Sequence, residues 1–203
     1  MLDSDLRPVV DRMLRPAVAA LGRRVHPHGI TAIGFFVGGA CVVALAQRAY
    51  TIAFALWLLN RLLDGLDGAV ARSSGLQSDL GGYLDLLLDF CLYAIIPIVA
   101  VLALPRPESG SAFIALAFLL GSFYINAASW LFLAALLEKA GTAGERPTSL
   151  VMPTGIIEGT ETIIFFSLII LLPAWTAPLM WTMAGLVLVT AAQRPLWMIR
   201  TMR

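Results

Sequence analysis

Four of the five aspartates in the stretch "LLDGLDGAVARSSGLQSDLGGYLDLLLDF" (residues 62–90), Asp64, Asp67, Asp85 and Asp89, interrupt runs otherwise rich in leucine, glycine and alanine. Their spacing is helical. Asn60, Asp64, Asp67 and Ala71 follow at steps of four, three and four and form one stripe; Gly81, Asp85 and Asp89 follow at steps of four and form another. Two helices joined by a short loop are antiparallel neighbours, so the stripes can face each other. Four carboxylates in one small space repel strongly, and Arg61 and Arg72 offset at most two of the charges. About two negative charges are left for cations. Hard oxygen donors of this kind suit magnesium or manganese, and the set can bridge two ions. Gly65, Gly68, Ala69, Ala71, Gly81 and Gly82 surround the acids and leave room for something bulky. The alternative use of such residues is close helix packing, as with Gly34 and Gly38.

The elements that must carry these residues are membrane helices. The 203 residues are 59% hydrophobic and only 13% charged, with a mean hydropathy of +0.85; a soluble domain carries roughly a quarter charged residues. Apolar runs recur at 29–46, 51–63 (continuing through polar positions to 72), 83–104, 111–137, 151–172 and 177–193. Each is about long enough to cross a hydrocarbon core if polar positions are allowed inside three of them. The fold predicted is an all-α integral membrane protein: six transmembrane helices in a catalytic domain over 29–203, preceded by an amphipathic helix and linker over 1–28. In that leading segment Leu6, Val9, Val10, Met13, Leu14, Ala17, Val18 and Leu21 recur at three- and four-residue spacing. Arg7, Asp11, Arg12 and Arg15 lie largely off the stripe, as in a helix lying on the bilayer surface; an ordinary helix packed on another element would show the same pattern. The segment lacks the apolar stretch of a cleaved signal peptide.

Basic residues set the orientation. With a cytoplasmic amino terminus the inner segments hold Arg7, Arg12, Arg15, Arg23, Arg24, Arg72, Lys139, Arg146, Arg194, Arg200 and Arg203, and the outer loops only Arg48 and Arg106. Both termini are therefore expected in the cytoplasm. Cys41 and Cys91 lie within spans and read as packing residues, and a net charge of +1 gives no reason to expect a nucleic-acid partner. Counting along the spans places the four aspartates, with Glu158 and Glu161 of the fifth, in one layer ~8–15 Å below the cytoplasmic surface at about 1.5 Å per residue. A six-helix transporter using the acids as an ion or proton site is the rival. Such a site is expected near the midplane between matching halves, whereas here the charges sit toward one side and no halves match.

The pattern Asp64-x2-Asp67-Gly68-x2-Ala71-Arg72-x8-Gly81-x3-Asp85-x3-Asp89 resembles the signature of the CDP-alcohol phosphotransferases, with each defining position at the family's spacing. The whole chain is similar to small, functionally unassigned bacterial inner-membrane members. One departure is visible: in Pro27-His28-Gly29-Ile30-Thr31 histidine stands where family members often have asparagine, and a solvated loop histidine is the plain expectation. The resemblance implies transfer of the phosphoalcohol unit of a CDP-alcohol to an acceptor hydroxyl, with release of CMP. It implies magnesium or manganese, two ions, held by Asp64, Asp67 and Asp85 with Asp89 also in reach. Asp89 is the general base it implies, and CDP is bound by Asp64, Asp67, Gly68, Ala71, Arg72, Gly81 and Asp85. CDP-diacylglycerol with a small alcohol is the expected pair, a soluble CDP-alcohol with a lipid acceptor the alternative. A homodimer in the bacterial inner membrane, with its active site on the cytoplasmic side, is implied as well.

Glu158 and Glu161 in "GIIEGTETIIFF" are outside the signature. Three residues apart at the depth of the aspartates, they are expected with Arg61 to line an acceptor pocket. A structural pair bonded to Arg61, Thr160 or Thr162 is the other use. An acidic pocket would favour a neutral or cationic acceptor.

Overall fold

A computed structural model describes residues 27–104, 106–139 and 155–201, with residues 12, 14–16, 18 and 19 of the leading segment. Six α-helices follow: α1 Pro27–Ala46, α2 Tyr50–Ser74, α3 Asp79–Leu102, α4 Arg106–Lys139, α5 Gly159–Leu171 and α6 Thr176–Thr201, with a 3-10 turn at Pro173–Trp175 before the last. No strand occurs among the described residues. The expected surface helix falls almost wholly outside them, and the boundary at 28/29 moves, because Pro27 and His28 already belong to α1. Proline suits a first helical position, where its missing N–H has no intrahelical partner to lose.

Four of the segments, Pro27–Ala46, Asp79–Leu102, Gly110–Lys139 and Pro173–Arg200, are long and apolar enough to cross a membrane. Two of the six expected crossings do not meet that standard. Helix α2 has the length, at 25 residues, but Arg61, Asp64, Asp67 and Arg72 interrupt it. Helix α5 has only 13 residues, about 20 Å at roughly 1.5 Å per residue, short of a core about 30 Å thick. The helix expected over 151–172 therefore needs correcting: residues 155–158 are not helical. Glu158 is instead the N-cap of α5 in a reciprocal capping box with Glu161, and it also accepts a hydrogen bond from Gly155 N at 2.9 Å. The neighbouring amides of Ile156 and Ile157 donate to Thr190 Oγ1 of α6. Each amide before the helix thus finds a side-chain acceptor, as backbone groups removed from water must.

Helix α2 ends at Gly75 in the left-handed conformation (φ 68°), its N–H bonded to Ala71 O. Glycine meets no Cβ penalty there. Ser78 is extended and caps α3, accepting from Gly81 N at 3.1 Å. This tight joint does not make α2 and α3 close neighbours. Helix α1 packs along α2 and also against α3, α4 packs along α6, and α3 and α5 tie the two pairs together, whereas the backbones of α2 and α3 stay apart and meet through side chains. The expected stripes nevertheless face each other, joined by side chains rather than by close backbones: Arg61 of α2 reaches Asp89 of α3 at 2.7 Å. Gly34 and Gly38 permit the approach of α1: a Cβ on Gly38 would stand 2.7 Å from Leu92 Cδ1 and 3.2 Å from Asn60 Nδ2. Asn60, itself buried, donates to Gly34 O at 2.8 Å. The apolar core lies farther along, around Trp57, Ile96, Leu119, Phe166, Met180 and Met183. Pro97 lies inside α3. Cys41 and Cys91 are free.

Candidate active site

The aspartates converge. Asp64 and Asp67 from α2 and Asp85 and Asp89 from α3 line one small cavity of about 20 Å³, with Thr31, Asn60 and Arg61. Asp64 and Asp85 share the wall of this cavity, and ionised carboxylates share so small a space only around a cation or a shared proton. Asp67 accepts from Thr31 Oγ1 at 2.7 Å. Asp89 is held by Arg61 on both oxygens, at 2.7 Å from Nη2 to Oδ1 and 3.0 Å from Nη1 to Oδ2.

Among the described residues no three His, Cys, Asp or Glu side chains stand ready as a metal-holding group. The donor chemistry nevertheless fits magnesium or manganese. All four aspartates are hard oxygen ligands, Arg61 is the only cationic side chain among the described residues of that cavity's wall, and about 20 Å³ admits one small ion or water.

Beside this cavity, sharing Thr31, Asp67 and Asp85 with it, opens a cleft of about 280 Å³ between α2 and α3. Gly68, Ala71, Arg72, Ser78, Gly81 and Gly82 line it. The expected nucleotide-binding residues are therefore on its wall, apart from Asp64, which faces the smaller cavity. A Cβ on Gly68 would lie 3.0 Å from Arg72 Nη1, and one on Gly81 would lie 3.2 Å from His28 Cε1. Glycine keeps both surfaces flat. His28, expected in a solvated loop, is a half-buried helical residue on this wall.

A third space, about 660 Å³ and largely apolar, lies beyond α3 among α4, α5 and α6. Phe90, Tyr93, Phe123 and Trp130 form much of its wall, with Glu158, Asn126 and Arg194 at a polar end. The expected acceptor trio is thus divided. Glu158 lines this space, Glu161 serves the capping box, and Arg61 belongs to the aspartate cavity. Arg194, expected as a flanking cytoplasmic charge, is a buried residue of α6 and donates to Asn126 O and Oδ1 at 3.1 and 2.7 Å. Sequence reasoning missed Arg194, Asn126 and Tyr93. An arginine beside the apolar run 177–193 was the available signal, read instead as topology.

Residues 24–193 match the CDP-alcohol phosphatidyltransferase family model. The Escherichia coli (strain K12) inner membrane protein YnjF is 41% identical over 180 residues, 87% of this chain and 85% of that one. The archaetidylinositol phosphate synthase of Pyrococcus horikoshii is 33% identical over 89 residues, covering 42% of this chain and 46% of its own. The crystal structure of Mycobacterium tuberculosis phosphatidylinositol phosphate synthase with CDP-DAG bound shares the fold, with a TM-score of 0.65 and 22% identity over 94% of each chain. A second structure of that protein, in complex with manganese and citrate, also scores 0.65, at 22% identity over 93% of this chain and 89% of that one. Phosphotransfer, with the aspartates arranged around a charged cavity, replaces the transporter alternative. The chain is a membrane phosphotransferase belonging to the CDP-alcohol phosphatidyltransferase family.

Proposed function

We propose that the protein transfers the phosphoalcohol group of a CDP-alcohol, with CDP-diacylglycerol as donor, to an alcohol acceptor in phospholipid biosynthesis. The observation that carries this is the meeting of four signature aspartates at one cavity that adjoins a cleft of nucleotide size. Cytidine would lie along the bare backbone of Gly68, Ala71 and Gly81, with Arg72 pairing with phosphate at the rim. Asp64, Asp67 and Asp85 would hold magnesium or manganese, which leaves Asp89 for the proton. The ions, one or two, would supply charge neutralisation for the diphosphate as its P–O bond breaks. Asp89 takes the proton of the acceptor hydroxyl while that oxygen attacks the β-phosphorus. The bond from the β-phosphorus to the bridging oxygen breaks, and CMP leaves with that oxygen.

The acceptor is assigned to the space beyond α3, which Tyr93 links to Asp89 through a 3.1 Å hydrogen bond. With Glu158 and Arg194 on the same wall, a neutral or zwitterionic hydroxyl compound suits it better than an anionic one. The largely apolar wall also favours a second pairing, a soluble CDP-alcohol with a lipid acceptor. Six crossings, with both termini and the site on the cytoplasmic side of the bacterial inner membrane, and a homodimer, belong to the same proposal. Its test is CMP release from purified protein given CDP-diacylglycerol or CDP-choline, magnesium and a panel of polyols, amino alcohols and lipid hydroxyls. Release with one donor–acceptor pair identifies the substrates; no release with any pair overturns the proposal.

A further inference from the structure

Arg61 is a residue for which the family signature has no position, and its surroundings are the most completely bonded in the site. The guanidinium has five N–H donors, and five hydrogen bonds meet them. Nε and Nη2 donate to Asn60 Oδ1 at 2.9 and 2.7 Å. Nη2 and Nη1 donate to the two oxygens of Asp89, and Nη1 also to Tyr93 Oη at 3.1 Å. The rings of Trp57 and Tyr93 lie 4.8 and 5.5 Å from its central carbon, and the side chain is 7% exposed. A guanidinium with each donor used has none left for a ligand. It is a fixture, whereas an exposed ion pair of the same length would contribute little.

The bonds on Asp89 are unequal. Oδ2 accepts from Arg61 and from Tyr93 Oη at 3.1 Å, which uses two lone-pair sites; Oδ1 accepts from Arg61. A carboxylate offers about four such sites, so one remains, on Oδ1.

We propose that Arg61 is a positioning residue: clamped by Asn60, Trp57 and Tyr93, it fixes the Asp89 carboxylate so that Oδ1 presents the lone pair that receives the acceptor's proton. This rests on the phosphotransfer reading above. The proton passes from the acceptor hydroxyl to Oδ1 as the new O–P bond forms and the bond to CMP breaks, and it then leaves to water. Tyr93 ties the clamp to the acceptor cavity, whose wall it shares.

The test is a KM-against-kcat comparison of CMP release in the detergent-purified full chain. Arg61→Ala should lower kcat by about 100-fold or more, the lower range of a lost general base, with KM for donor and acceptor each changed by less than about threefold. Binding of CMP with magnesium, read by calorimetry, should stay within about threefold of the unsubstituted protein, because Arg61 hydrogen-bonds to none of Asp64, Asp67 and Asp85 and its ion pair with Asp64 is long, at 3.9 Å. Guanidinium added at non-denaturing concentration should restore part of the kcat of Arg61→Ala and none of that of Asp89→Asn. Should Arg61→Ala fail to fold, Arg61→Lys and Tyr93→Phe take its place. Tyr93→Phe, which keeps the ring over Arg61, should lose about tenfold in kcat at unchanged KM, as for one hydrogen bond to a charged group. A raised acceptor KM with kcat retained would make Arg61 an acceptor ligand and overturn the proposal. So would an unchanged kcat per folded molecule, the mark of a purely structural arginine. If the unsubstituted protein releases no CMP with any substrate pair, the phosphotransfer reading itself has failed and the role of Arg61 falls with it.

Discussion

The cleft between α2 and α3 and the larger space beyond α3 stand on two sides of one helix, yet they are built by opposite means. The cleft draws most of its polar residues from one continuous stretch, 60–89, and its walls are carboxylates, arginine and bare glycine backbone. The larger space draws on four separated helices and is walled mainly by aromatic and aliphatic side chains, with Glu158, Asn126 and Arg194 at one end. A reaction that always cleaves the same diphosphate needs one constant charged surface. Selection among acceptors needs a surface that can change without disturbing it. The difference between the two walls corresponds to that division, with α3 contributing Asp85 and Asp89 to one and Phe90 and Tyr93 to the other.

The sharpest way to break this division is to remove its charged side. Asp64→Ala and Asp67→Ala should abolish both CMP release and magnesium-dependent CMP binding. Asp89→Asn should reduce transfer by about a thousandfold or more while calorimetric CMP binding persists. Near-normal turnover by Asp89→Asn would take the base role from it. Metal comes next in expected effect. Magnesium or manganese should raise the thermal midpoint, and CMP should raise it further only when metal is present. Stabilisation by CMP in the presence of excess chelator would contradict a metal-bridged diphosphate.

The apolar side should respond more weakly and in a different parameter. Glu158→Gln should raise the apparent KM for the acceptor several-fold, leaving the donor KM within about twofold. Glu161→Ala removes its half of the capping box, worth about 1 kcal/mol, so it should lower the thermal midpoint at unchanged KM. Equal effects on both KM values from Glu158→Gln would remove the separation of the two surfaces.

The same contrast explains what could be read in advance. Asp64, Asp67, Asp85 and Asp89 were legible because helical spacing alone places them on two stripes, and charge in an apolar run has few innocent uses. Gly34 and Gly38 were legible as packing residues by their spacing. What the sequence withheld was long-range. That α1 packs against both α2 and α3, with Asn60 reaching Gly34 O, is something no periodicity reveals. Helical spacing placed Glu158 and Glu161 on one face, but a side chain that satisfies its neighbours' amides can start a helix as well as sit within one, and here it starts it. Arg194 counted as a topological charge because its partner, Asn126, lies 68 positions away.

Pro97 gives α3 a mechanical character of its own. Proline has no N–H to offer the carbonyl four residues before it, and that residue is Tyr93. The helix is thus weakest one turn beyond the layer of Asp85, Asp89 and Tyr93, while Ile96, Ala100 and Val101 on the far side are buried in the core. The missing bond should let α3 open more readily around Pro97 than on its anchored far side. Such compliance would be measured as faster amide hydrogen exchange over residues 90–97 than over 98–102, and Pro97→Ala should erase the difference; uniform exchange along the unsubstituted helix would show that it opens no more readily there.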